Sequence, residues 1–124
     1  MTFQIYKILH ASFLVDDLDI SLAFYRDLLE LEVDTKRPDL GYPGAWLSIG
    51  NQQIHLIQLP NPDPKEERPE HGGHDRHVAL QVDNIEELKT KLESADIKFT
   101  TSKSRDNVVF IRDPDGNTLE LIGQ

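Results

Sequence analysis

The stretch His10-Ala11-Ser12-Phe13-Leu14-Val15-Asp16-Asp17-Leu18-Asp19 returns 67 residues later as His77-Val78-Ala79-Leu80-Gln81-Val82-Asp83-Asn84-Ile85-Glu86. In both copies a histidine opens an apolar run, and short polar residues then lead into a second pattern. The closing stretches also match: Ile54-His55-Leu56-Ile57 and Leu119-Glu120-Leu121-Ile122 lie 65 residues apart. Offsets that agree to within two residues mean one supersecondary unit written twice. A pseudo-twofold fold built from such a repeat brings equivalent positions together, and those positions are His10, His55, His77 and Glu120. All four are metal-ligand residue types.

Working outward, Leu9, Ala11, Phe13 and Val15 form one apolar face at period two, which predicts a strand over residues 8–15. Asp16 and Asp17 offer N-cap oxygens before Leu18, Leu22, Tyr25, Leu28 and Leu29, whose spacings of three and four predict an amphipathic helix. Three shorter strands follow over 32–36, 45–49 and 52–58, with turn signals at Pro38, Gly41, Pro43 and Gly50-Asn51. The second copy has the same order. A strand over 77–82 precedes a helix opened by Asn84 with Glu87, a capping-box pattern, and Ile85, Leu88, Leu92 and Ala95 mark the helix's buried side. Strands over 97–101, 107–112 and 118–122 complete the set, the last two joined by Asp113-Pro114-Asp115-Gly116-Asn117, a strong turn signal. The expected fold is α+β: two βαβββ modules, over about 4–59 and 76–124, in a single domain. The linker over 60–75 carries Pro60, Pro62, Pro64 and Pro69, and a connection of that length is often a mobile lid or an arm reaching across an interface.

The chain has 124 residues, a formal net charge of -9 and no cysteine. This is one domain's worth of core, with no clustered basic surface for nucleic acid or an anionic membrane and no thiolate ligands. No apolar run reaches the length of a membrane span, so a soluble, cytoplasmic protein is expected. Its partner should be a small molecule.

The four candidates sit in strands whose neighbouring residues are apolar, Leu9 and Ala11, Ile54 and Leu56, Val78, Leu119 and Leu121, so strand alternation turns the candidates away from the helix-packed core. Ser12, Gln53, Gln81 and Thr118 share their faces and, with Trp46 from the third strand, are the candidate substrate-binding wall. Burying a carboxylate such as Glu120 is costly unless a cation holds it ionised. His10, His77 and Glu120 form a two-histidine, one-carboxylate set with room for other ligands, and His55 is a fourth ligand or a base. Zn, Ni, Co, Mn and Fe all suit these nitrogen and oxygen donors. His71 and His74 read as solvated loop histidines. Arg37, Arg68, Arg76, Lys103 and Arg105 read as surface charges rather than anion contacts.

On these residues, with the helix text Ser21-Leu22-Ala23-Phe24-Tyr25-Arg26-Asp27-Leu28-Leu29, the chain resembles the vicinal oxygen chelate superfamily, which includes glyoxalase I, extradiol dioxygenases, fosfomycin-resistance thiol transferases and bleomycin-resistance proteins. The resemblance covers nearly the whole chain. It implies sheets forming a half-open cup around one divalent metal with the helices outside, often in a homodimer, and ligands from the first and last strand of each module: His10, His55, His77 and Glu120. Glyoxalase I usually has glutamate where this chain has His55, which leaves Glu120 as the one glutamate of the set. The function implied is a metal-dependent lyase or isomerase of glyoxalase type, with Glu120 or His55 moving a proton on a substrate that chelates the metal through adjacent oxygens. Two alternatives stand beside it, an extradiol ring-cleaving dioxygenase and a metal-free small-molecule binding or resistance protein.

Overall fold

The computed structural model describes residues 2–124, which divide into two compact units, the first ending at Asn61 and the second running from Pro62 to Gln124. In the first, strand β1 (His10–Leu14) leads to helix α1 (Leu18–Leu22), a π-helical turn (Ala23–Leu28) and strands β2 (Glu32–Val33), β3 (Gly44–Ile49) and β4 (Gln52–Ile57). In the second, β5 (His77–Val82) leads to helix α2 (Ile85–Ser94) and strands β6 (Thr100–Thr101), β7 (Val108–Arg112) and β8 (Thr118–Gly123). The sheets have the same strand order, β1-β4-β3-β2 and β5-β8-β7-β6, with one parallel pair at one edge of each. The fold is α+β, two βαβββ modules, as the sequence repeat predicts.

The repeat extends to register. His10 pairs with Gln53 and Ser12 with His55; His77 pairs with Thr118 and Ala79 with Glu120. The first-strand candidate in each unit is thus two rungs from the last-strand candidate, on the same sheet face. Opposite His55 on β3 stands Trp46, and opposite Glu120 on β7 stands Phe110. Ile54, Leu56, Leu119 and Leu121 are all buried on the other face, as alternation requires.

Local chemistry sets the element ends. Asp17 caps α1 by accepting from the Asp19 and Ile20 amides, and Asn84 caps α2 through the Glu87 amide while its own side-chain amide donates to Glu87 Oε2. The first helix is shorter than its periodicity predicts: after Leu22 the chain widens into a π-helical turn, with the Leu29 amide bonded to the Phe24 carbonyl. The wider turn lets adjacent Phe24 and Tyr25 both be buried, where a regular stripe would bury one. Ala95, expected on the buried side of the second helix, is its exposed C-cap. Past each helical segment stands an acidic residue in the left-handed region, Glu30 at φ 60° and Asp96 at φ 57°, and their 66-residue spacing carries the duplication into backbone conformation. The β7–β8 turn is built on buried Asp113, which accepts from the Asp115 and Asn117 amides, with Gly116 at φ +87°. No helix among the described residues is long and apolar enough to cross a membrane.

Candidate metal centre

In the second unit, His77 Nε2 lies 3.1 Å from Glu120 Oε1. The ring's other nitrogen, Nδ1, is 2.8 Å from the Asp75 carbonyl oxygen. A carbonyl can only accept, so Nδ1 donates a proton to it and Nε2 is the nitrogen turned toward the carboxylate. Two ligands bonded to one first-row cation at ordinary lengths stand about 3 Å apart, and the His77–Glu120 pair has that spacing. The donor set therefore fits a divalent metal: an imidazole nitrogen and a buried carboxylate at ligand distance. Arg105 Nη2 lies 3.4 Å from Glu120 Oε2, a cation beside the carboxyl that the sequence reading took as plain surface charge. Phe110 closes one side, edge-on to the His77 ring at 5.6 Å between centroids.

In the first unit, His55 lies between two rings. Trp46 stacks on it at 4.6 Å and 7°, and His10 stacks on it at 3.8 Å and 12°. The Asp34 carboxylate accepts from the Lys36 amide and, at 2.9 Å, from Gln53 Nε2, bonds that hold its pKa below the ordinary value. That turns Gln53 Oε1 toward His55 Nε2 at 2.8 Å. His55 therefore donates from Nε2 and keeps its lone pair on Nδ1. Burial first, then the nearby His10 and Arg37, lowers the His55 pKa and favours the neutral ring. A neutral imidazole with a free lone pair is a ligand or a base.

Each unit thus brings two candidates together, His10 with His55 and His77 with Glu120. Among the described residues, no group of three or more His, Asp or Glu side chains is spaced to hold a metal ion. Of the candidate wall, Gln53 orients His55, Trp46 stacks on it, and Ser12 and Gln81 are exposed on the strand faces of His10 and His77. Thr118 is buried, and its hydroxyl is 2.7 Å from Arg112 Nη1.

The second part of the linker is fastened to its own unit rather than projecting from it. A short 3-10 turn, Gly72–His74, lies so close to β7 and β8 that a Cβ on Gly72 would stand 2.7 Å from Thr118 Cγ2. His71, read from sequence as a solvated histidine, accepts from the Gly73 amide, donates to the Thr101 carbonyl and packs on Phe110. Arg68 forks onto Asp75 through two 2.7 Å bonds, with both side chains largely buried, and Arg37 bonds the Tyr42 carbonyl while lying over the Tyr42 ring. Both arginines are structural, against their reading as surface charges. Sequence reasoning passed over Asp34, Asp75, Phe110 and Arg112. Phe110 alone had a signal, since it occupies the rung in the second repeat that Trp46 occupies in the first.

Fold, repeat and paired side chains define a class, proteins built from two copies of a βαβββ module with histidine and carboxylate side chains on their first and last strands. The chain belongs to the Glyoxalase/Bleomycin resistance protein/Dioxygenase superfamily, whose family profile matches residues 7–121. It is 33% identical to the Escherichia coli protein YaeR over 93% of this chain and 94% of that protein. It is 27% identical to lactoylglutathione lyase of Salmonella typhimurium over 94% of this chain and 91% of the lyase. A crystal structure of a glyoxalase family protein from Bacillus anthracis superposes with a TM-score of 0.81 at 26% identity, covering 100% of this chain and 99% of that one.

Proposed function

We propose that this protein is a divalent-metal-dependent lyase or isomerase of glyoxalase type, acting on a small substrate that chelates the metal through adjacent oxygens. The observation that carries the reading is the His77–Glu120 pair, 3.1 Å apart, with His77 Nε2 fixed toward the carboxylate. The proposed ligands are His10, His55, His77 and Glu120, for one ion of Zn, Ni, Co, Mn or Fe. The Salmonella typhimurium lactoylglutathione lyase among its relatives supports the reaction class.

A divalent cation supplies Lewis-acid stabilisation of negative charge developing on the substrate oxygens. The remaining work falls to the chain's own side chains. Glu120, buried and flanked by His77 and Arg105, takes the proton from the substrate carbon beside one oxygen and returns it to the neighbouring carbon. His55, held neutral with Nδ1 free, is the second base available to share that transfer. Trp46 gives the site an apolar wall and keeps water from one face of His55. Arg105 balances the carboxylate's charge before substrate arrives. The working form is proposed to be a homodimer, supported by the exposed apolar N-terminal arm of Phe3, Ile5, Tyr6 and Ile8.

The test is proton movement. Metal-stripped protein reloaded with each of the five ions is offered hemithioacetals and α-hydroxycarbonyl compounds in D2O, and the migrating hydrogen is followed by NMR. Exchange or transfer at the carbon, reduced at least 100-fold in Glu120→Gln, supports the reading. Turnover that consumes dioxygen on a catechol overturns it in favour of ring cleavage, and tight binding of a small molecule without metal or turnover overturns it in favour of a binding protein.

A further inference from the structure

The linker segment that leads into His77 is tied down at one residue. Asp75 accepts four hydrogen bonds on its carboxylate: Arg68 Nε and Nη2, each at 2.7 Å, Arg112 Nη1 at 2.8 Å and the Arg76 amide at 2.8 Å. Its side chain is 8% exposed. Arg112 reaches further, donating to the Pro69 and Gly116 carbonyls and the Thr118 hydroxyl, so one guanidinium joins the linker to β7, the β7–β8 turn and β8. These are charge-assisted bonds in a largely buried setting, the strong kind. They fix Asp75 relative to the strand that carries Glu120.

The Asp75 carbonyl is the acceptor for His77 Nδ1. With Nδ1–H donated to that carbonyl, the ring is turned so that Nε2 faces Glu120 Oε1, 3.1 Å away. An acceptor on the remote nitrogen fixes the tautomer and ring orientation of a metal-binding histidine. Here the acceptor is a backbone atom two residues before the ligand, and its position depends on the side chain of its own residue.

We infer that Asp75, clasped between Arg68 and Arg112, is the positioning residue that holds the His77 ring with Nδ1–H on the Asp75 carbonyl and Nε2 facing Glu120. The consequence for metal affinity rests on the assignment of His77 as a ligand; the consequence for the imidazole does not. Arg76 provides an internal control. Its side chain pairs with Asp63 at 2.7 Å on the exposed side of the same segment and makes no contact with the clasp carboxylate beyond its backbone amide.

The experiment compares the full-length protein with Asp75→Asn, Arg68→Gln, Arg68→Lys and Arg76→Gln. Imidazole nitrogen shifts by 15N NMR report whether His77 Nδ1 is protonated and hydrogen-bonded in metal-free protein, and titration with Zn(II) alone reports affinity. Wild type should show His77 Nδ1 uniformly protonated and hydrogen-bonded. Asp75→Asn and Arg68→Gln should show a mixed Nδ1 signal and bind Zn(II) about 10-fold or more weakly, in the range found when such outer partners are lost. Arg68→Lys should recover part of both effects, and Arg76→Gln should match wild type. Should Asp75→Asn not fold, Arg68→Gln decides, because Arg112 keeps all four of its bonds there. An unchanged Nδ1 signal in Arg68→Gln, or an equal change in Arg76→Gln, overturns the inference. If wild type binds no Zn(II) yet the Nδ1 signal changes as expected, the clasp stands and the metal reading falls.

Discussion

At the scale of single residues, the two units orient their imidazoles by different means. His55 is fixed by an amide that is itself fixed by Asp34, 19 residues away from Gln53, whereas His77 is fixed by a backbone carbonyl two residues before it. The candidate residues were legible in sequence, because the repeat singles out positions 10, 55, 77 and 120. The ring orientations were not, since neither a long-range acceptor nor a carbonyl direction leaves a mark on residue identity. The stack of Trp46, His55 and His10 has a measurable consequence. Burial is the first cause of the lowered His55 pKa, so its NMR titration should have a midpoint below 6.5, and Trp46→Ala should move that midpoint upward. The sign for stability follows. With the folded pKa below the unfolded one, the contribution is fully present above pH 6.5 and is lost as pH falls, because the unfolded chain takes up the proton more readily. A His55 midpoint above 6.5 would contradict the buried, neutral assignment.

At the scale of elements, most of the architecture was legible because its periodicities are clean. The strands over 45–49, 52–58, 77–82, 107–112 and 118–122 lie within a residue or two of their expected ends, and the Asn84–Glu87 capping box forms as written. The misses have a common cause in tertiary packing. Nothing in the spacing of Leu18, Leu22, Tyr25 and Leu29 announces a π-helical turn, which forms so that Phe24 can be buried beside Tyr25. The strands expected over 32–36 and 97–101 shrink to two residues each. The linker's prolines suggested a loose arm, while its charged residues, read singly, gave no hint of the clasp they make together. The left-handed residues offer a stability test. Asp96 at φ 57° pays the steric penalty of a β-carbon that glycine avoids, so Asp96→Gly should raise thermal stability by about 0.5–1 kcal/mol despite glycine's greater freedom in the unfolded chain. Loss of the α2 cap in Asn84→Ala should lower it by about 1 kcal/mol, measured by chemical denaturation.

At the scale of the whole molecule, the exposed arm is the feature the described chain does not account for by itself. Phe3, Ile5 and Tyr6 are each more than four-fifths exposed, and the Ile8 and Leu9 carbonyls accept from the Gln52 side chain and the Gln53 amide. On the proposed homodimer, deleting residues 2–7 should yield a monomer in sedimentation velocity while leaving the sheet signal in circular dichroism intact. An unchanged sedimentation coefficient relative to mass would remove the arm from the interface. The central proposal, that His10, His55, His77 and Glu120 are ligands of a divalent cation, is tested most directly by metal stoichiometry. Untagged protein, stripped by chelator, reloaded and passed through a desalting column, is analysed by elemental mass spectrometry beside folded His77→Ala and Glu120→Ala. The account predicts one ion per chain in wild type and substoichiometric metal in both variants. Negligible metal in reloaded wild type, or a full complement in both variants, would contradict it.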